Sequence, residues 1–120
     1  MLFALALLLA SAPQRIVSTT PSITELLFAL GLGPKVVGVT NYCRYPEEAR
    51  KLPKIGTYIQ PDMERIAALL PDLVVIQKNP VQLQARLQRL GLRVLELEYD
   101  SVEQTYAAIT QLAQAGGVAE

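Results

Sequence analysis

Short apolar runs alternate with segments of helical periodicity along most of this chain. The apolar runs predict strands at "RIVSTT" (15–20), "VVGVT" (36–40), "LVVI" (73–76) and "RVLELE" (93–98). Between them, apolar residues recur every three or four positions and predict helices over residues 21–31, 61–71, 79–91 and 101–117. Such alternation predicts a parallel sheet with helices on both faces and right-handed crossovers. The predicted fold class is α/β, with a four-stranded Rossmann-like sheet.

The predicted helices carry recognisable start signals. A serine followed three residues later by Glu or Gln is typical of a capping box, which predicts such boxes at Ser22 with Glu25 and at Ser101 with Gln104. Asn79 is the candidate N-cap of the third long helix. The apolar face of the second helix is predicted to comprise Met63, Ile66, Ala67 and Leu70. The run at 73–76 is continuously apolar, as expected for a strand buried on both sides.

The composition limits the kinds of site that the chain could form. Half of the residues (51%) are hydrophobic and the formal net charge is zero, which favours a folded core and argues against nucleic acid as a partner. Histidine is absent and Cys43 is the only cysteine. A zinc site built from His and Cys, an intrachain disulfide and a histidine general base are therefore excluded.

The first stretch, "MLFALALLLASA" (1–12), is uniformly apolar and ends in an A-x-A pattern. It is too short to span a bilayer. These features predict a secretory signal peptide cleaved near Ala12, with residues 13–120 as the exported, periplasmic domain. The alternative is a buried first strand or helix, because no Lys or Arg precedes the apolar core.

Ligands of open parallel sheets bind beyond the carboxyl ends of the strands. These predicted ends offer hydroxyls, amides and phenols: Thr19-Thr20-Pro21, Asn41-Tyr42, Gln77-Lys78-Asn79 and Tyr99-Asp100. They contain no nucleophile beside a base and no pair of carboxylates, so we do not expect an enzyme. The G-x-G at residues 31–33 follows a helix instead of a strand and indicates a helix end, not a nucleotide-binding turn.

Tyrosines cluster in the segment after the second predicted strand. Tyr42 and Tyr58 could contribute flat faces to a large ligand, although an isolated tyrosine at a strand end can equally be a core plug or loop anchor. Tyr45 and Pro46 are predicted to be structural, with Pro46 starting a short helix and Tyr45 packing beneath it. Cys43 lies in the same loop, and we expect a thiol that reagents reach and that a bound ligand shields.

The motifs "PSITELLFALG", "VVGVTNYCRYPEEA" and "MERIAALLPDLVVI" form a specific combination. From about Arg15 to beyond Ser101, the sequence resembles the amino-terminal lobe of ABC-transporter solute-binding proteins of the cobalamin, haem and ferric-siderophore type. Among these it is most similar to cobalamin (vitamin B12) binders. The resemblance implies one lobe of a normally two-lobed α/β protein, in which a long helix joins the lobes and the ligand lies in the cleft between them.

The resemblance also implies roles for particular residues. Tyr42 matches the aromatic residue that contacts the corrinoid in cobalamin binders, and Tyr58 matches a second cleft aromatic. Asn79 lies in the loop after the third strand, where the family also lines its cleft. Glu64 matches the exposed glutamate with which this lobe docks onto arginines of the membrane permease.

The implied function is capture of a large cofactor-like small molecule and its delivery to an ABC permease, without enzymatic activity or a required cofactor. Cobalamin is the first candidate, and a ferric siderophore or haem is the alternative. Because the family has a second lobe, the resemblance predicts a fragment, half of a split protein, or a lobe that self-associates.

Two hypotheses from other classes remain open. The first is a small cytosolic flavodoxin-like enzyme or regulator, although "STTPSI" lacks the glycines that a phosphate-binding turn would favour. The second is a remnant that folds but binds nothing.

Overall fold

Four parallel strands form one sheet in the computed structural model, which describes residues 12–57, 59–78 and 82–118. The strands are β1 (Ile16–Ser18), β2 (Val36–Gly38), β3 (Leu73–Gln77) and β4 (Val94–Leu97). Their order across the sheet is β2-β1-β3-β4, and every pairing is parallel. The predicted α/β class and the four-stranded parallel sheet are confirmed.

Helices cover both faces of this sheet. They are α1 (Pro21–Ala29), α2 (Glu47–Arg50), α3 (Met63–Ala68), α4 (Leu83–Arg89) and α5 (Val102–Gly116). Side chains alternate across the sheet, so that Ile16 faces a core with α1 and α5, whereas Val17 faces a second core with α3 and α4. Strand β3 contributes to both cores and is buried on both sides, as its continuous apolar run predicts.

Helix α1 begins two residues earlier than the predicted capping box requires. The side chain of Thr20 caps it, because Thr20 Oγ1 accepts a hydrogen bond from the Ile23 N–H at 3.1 Å. Pro21 occupies the first helical position, where its fixed φ suits a helix and its missing N–H is not needed. The predicted box of Ser22 with Glu25 is therefore wrong.

The predicted box at the start of α5 is confirmed in a modified form. Ser101 Oγ accepts from the Gln104 N–H at 3.1 Å. Gln104 Oε1 accepts in return from the Asp100 N–H at 2.8 Å, one residue before the usual position. Both ends of the capping interaction are thus occupied.

Two other helix predictions need correction. Helix α4 begins at Leu83 with Gln82 in the N-cap position, after the predicted cap Asn79, which lies outside the described residues. Helix α3 ends at Ala68, and Leu70 has a positive φ of 52° and an exposed side chain instead of a place on the apolar face.

The amino-terminal segment lies almost entirely outside the described residues, which begin at Ala12. The signal peptide therefore stays a prediction. Within the described ranges, no helix is both long and apolar enough to cross a membrane.

Candidate functional site

The carboxyl ends of all four strands lie at one edge of the sheet because the strands are parallel. The chain leaves β1 through Thr19 and Thr20, β2 through Thr40, β3 through Gln77 and β4 through Tyr99. We call this edge, with the loops that follow it, the carboxyl edge. It is where a ligand of an open parallel sheet would bind.

A buried hydroxyl group ties the end of β1 to α1. Thr24 Oγ1 donates to Ser18 Oγ at 2.7 Å, and Ser18 Oγ donates to the Thr20 carbonyl oxygen at 3.0 Å. All three residues are buried. Each hydroxyl therefore meets a partner inside the protein in place of water, which offsets the cost of burying it.

Cys43 extends this group to the loop after β2. Its Sγ lies 3.2 Å from Thr24 Oγ1 and 3.1 Å from Thr40 Oγ1. Thr40 Oγ1 also accepts from the Tyr42 N–H at 3.4 Å. We call these linked groups of Ser18, Thr20, Thr24, Thr40 and Cys43 the hydroxyl–thiol network. It fixes the loop to the ends of two strands.

The predicted accessibility of Cys43 is wrong. Its relative exposed area is 2%, and its sulfur points into the network instead of into the loop surface. Because the neighbouring Tyr42 is 59% exposed, adjacent residues of the loop point in opposite directions.

Tyr42 and Tyr45 both present their rings at the surface of this loop. Tyr45 is 70% exposed, so it does not pack beneath the short helix α2 as predicted. Pro46 does precede α2, which begins at Glu47. The structure thus leaves Tyr42 free for contact, as its predicted role requires. Tyr58 and Asn79, the other predicted ligand contacts, lie outside the described residues, so their placement is untested.

Tyr99 links three other parts of the carboxyl edge. Its hydroxyl lies 3.1 Å from Thr20 Oγ1 and 2.8 Å from Ser22 Oγ, and it donates to Gln77 Oε1 at 3.2 Å. The ends of β1, β3 and β4 therefore meet at one phenol. The sequence places Tyr99 at a strand end, but this linking role depends on the strand order β1-β3-β4.

A hollow of about 510 Å³ opens beside this phenol. It is lined by Tyr99, Asp100, Ser101, Val102, Thr105 and Tyr106. Val102 and Tyr106 are 68% and 69% exposed. The carboxyl edge therefore displays apolar surface near both of its ends, beside β2 and beside β4.

Glu64 lies in the first turn of α3 and its side chain is exposed. Within the described ranges, its carboxylate has no ion-pair partner, whereas neighbouring Asp62 and Arg65 pair with each other at 3.4 Å. Helix α3 crosses from the carboxyl end of β2 toward the start of β3, so Glu64 lies on the carboxyl-edge side of the molecule. Its placement is compatible with a docking role.

Among the described residues, no group of three His, Cys, Asp or Glu side chains could hold a metal ion. A parallel sheet whose carboxyl edge carries exposed rings and anchored hydroxyls has the geometry of an α/β ligand-binding lobe. The chain belongs to the family described as periplasmic binding protein, whose model matches residues 16–119.

Individual relatives agree with this assignment. The vitamin B12-binding protein of Yersinia pestis (strain Pestoides F) is 37% identical over 116 residues, which is 95% of this chain and 41% of that relative. A periplasmic haem-binding protein from Pseudomonas aeruginosa superposes with a TM-score of 0.82 at 31% identity, covering 88% of this chain and 39% of that one. The periplasmic vitamin B12 binding protein BtuF of Vibrio cholerae superposes with a TM-score of 0.78 at 30% sequence identity. The match covers 86% of this chain and 41% of that one.

These matches confirm the resemblance seen in the sequence motifs. The chain spans about 41% of the length of the curated relatives that it matches. The matched region corresponds to a single lobe of the solved periplasmic binding proteins.

The burial of Cys43 predicts a protected thiol. We expect the native chain to react with a disulfide reagent far more slowly than the chain unfolded in guanidinium chloride, because reaction needs an accessible thiolate. The matched control is Arg44→Cys, which adds an exposed thiol at the next position. It should show one fast-reacting thiol beside the slow one. Fast reaction of native Cys43 would contradict the network.

The linking role of Tyr99 predicts a stability loss in Tyr99→Phe. Removing the hydroxyl deprives Thr20, Ser22 and Gln77 of a shared partner, and we expect the free energy of unfolding to fall by about 1–2 kcal/mol. Urea unfolding followed by circular dichroism measures this. The control is Tyr106→Phe, whose exposed ring should tolerate the change. Equal stability of the two variants would argue against the link.

Proposed function

We propose that this chain is the binding lobe of an exported, non-enzymatic solute-binding protein that captures cobalamin and delivers it to an ABC permease in the membrane. The main observation that supports this proposal is the exposure of the Tyr42 ring, on a loop that the hydroxyl–thiol network anchors. The 37% identity to a vitamin B12-binding protein supports the choice of ligand.

Residues of the loop after β2 have different roles in the proposed site. Cys43 and Thr40 hold the backbone from inside, so the ring of Tyr42 is presented without a large loss of loop entropy on binding. A flat aromatic face suits a large planar ligand such as a corrin ring, through area burial and stacking. We assign Tyr58 and Asn79 to the same surface as further contacts.

The proposed role needs no resident cofactor, because cobalamin is the cargo. It places the mature protein, residues 13–120, in the periplasm after cleavage of residues 1–12. A surface opposite the carboxyl edge, from a second lobe or a second copy, would cover the other face of the ligand and increase the buried area.

Haem is the second candidate ligand, favoured by the structural likeness to the haem-binding protein of Pseudomonas aeruginosa at a TM-score of 0.82. Tyrosine is a known axial ligand of haem iron. A ferric siderophore is a further alternative of the same kind.

Titration of the purified chain with cyanocobalamin tests the proposal, with absorbance and calorimetry as readouts and light scattering for the oligomeric state. Saturable binding is expected. Saturable binding of haem with none of cyanocobalamin would reassign the ligand, and a folded chain that binds neither would overturn the proposal.

Tyr42→Ala should weaken cyanocobalamin binding by about tenfold or more, since it removes an exposed aromatic contact. Its melting temperature should stay close to that of the unmodified chain, because the ring makes little contact with the core. Tyr45→Ala, a neighbouring exposed tyrosine on the same loop, is the matched control and should bind more nearly normally. A large loss of thermal stability in Tyr42→Ala would identify it as a structural residue instead.

Reversing the charge of Glu64 tests the docking role. In Glu64→Lys, cyanocobalamin affinity should be unchanged, whereas association with the permease in lipid nanodiscs should fall, because a lysine repels the proposed arginines. Glu25→Lys, an exposed glutamate on α1, is the control for net charge. Undiminished association of Glu64→Lys would remove Glu64 from the interface.

A further inference from the structure

A hollow of about 390 Å³ lies on the outer side of the Tyr42 loop, at the β2 edge of the sheet. Three segments enclose it: the loop after β2, helix α2 and the chain at Lys54, which forms a bridge with Val39. It is lined by Asn41, Cys43, Arg44, Arg50 and Lys54. The hollow is separate from the one beside Tyr99.

The charged side chains that line this hollow are all positive, whereas Glu47 and Glu48 of α2 do not line it. Arg44 and Arg50 are exposed, and among the described residues neither has an ion-pair partner. Lys54 Nζ donates to the Ala49 carbonyl oxygen at 3.3 Å, a neutral acceptor that leaves its charge uncompensated. None of the described carboxylates lines the hollow. Three like charges around one cavity repel each other, and attraction to a bound anion would offset that repulsion.

The lining side chains offer hydrogen-bond donors almost exclusively. Each guanidinium carries five N–H donors in a planar fork and the ammonium carries three, while the amide of Asn41 adds two donors and one acceptor. Such a set suits a group with several charged oxygen atoms, and guanidinium groups bind phosphate in a two-pronged geometry. We propose that this hollow binds a phosphate group, either free or attached to a small organic molecule.

Backbone hydrogen bonds hold the walls of this phosphate site in place. The Asn41 N–H donates to the Gly56 carbonyl oxygen at 2.9 Å, and the Ile55 N–H donates to the Val39 carbonyl oxygen at 2.9 Å. Cys43 is fixed from behind by the hydroxyl–thiol network. Since the backbone of these walls is hydrogen-bonded before binding, the entropy lost when an anion enters comes mainly from the exposed arginine side chains.

The phosphate site goes beyond the proposed function and does not depend on it. The ring of Tyr42 lines neither hollow, so binding of phosphate and capture of cobalamin are separable. Phosphate binding could hold if the chain binds haem, or if it binds no large ligand at all.

The test is calorimetric titration of the purified chain with inorganic phosphate, at an ionic strength kept constant with sodium chloride. We expect saturable binding that the double variant Arg50→Gln, Lys54→Gln weakens by about tenfold or more, since two charged donors are lost. The matched control is Arg86→Gln, Arg89→Gln on α4, which removes the same number of positive charges from exposed sites elsewhere. It should bind phosphate normally.

Two further arms complete the experiment. Titration with glucose 6-phosphate separates a free-phosphate site from one that accepts a phosphorylated molecule, and binding of either supports the proposal. If the double variant fails to fold, Arg44→Gln replaces it, because that side chain is exposed and, within the described part of the chain, donates no hydrogen bond to the backbone. An adventitious ion only, seen as equal weakening in the control pair or as binding no tighter than that of chloride, would overturn the site. Cyanocobalamin affinity of the same variants reports the proposed function separately.

Discussion

The buried hydroxyl–thiol network is the constraint on which the geometry of the Tyr42 loop depends. Thr24, Cys43 and Thr40 lie between β1, β2 and α1, where an unpaired polar atom would cost about 1–3 kcal/mol. In the described part of the chain, every buried side-chain nitrogen or oxygen has a hydrogen-bond partner. Cys43 points inward as part of this network, and the adjacent Tyr42 points outward.

Three chemically distinct surfaces follow from that arrangement. The exposed ring of Tyr42 stands beside the donor-rich hollow of Arg44, Arg50 and Lys54, while Tyr99 anchors the other end of the carboxyl edge. The parallel sheet brings them together because it delivers every strand–helix loop to one side. A large flat ligand on such an edge has one face covered, so the surface opposite the edge determines how much of the ligand is buried.

The α/β class, the two-sided burial of β3 and the family could be predicted from the sequence, because hydrophobic periodicity and the "NYCRYP" motif are local patterns. The predictions from sequence were wrong where contacts between neighbouring groups, and not the local pattern, decide the structure. Ser22 fits a capping box, but Pro21 moves the helix start so that Thr20 caps it. The sequence predicts that Tyr45 packs beneath α2, whereas its ring is exposed beside this four-residue helix. The link through Tyr99 joins residues far apart in sequence, so no local pattern predicts it.

The sequence by itself determined the α/β class, the sites of the strands and the place of Tyr42 at a strand end, since each depends on the order of residues within a short window. Only the tertiary structure decided that Cys43 is protected, that Tyr99 joins three strands and that the basic side chains after β2 share one hollow. These properties depend on which loops a parallel sheet brings side by side. That proximity comes from strand pairing between distant segments, whose partners the local pattern does not specify.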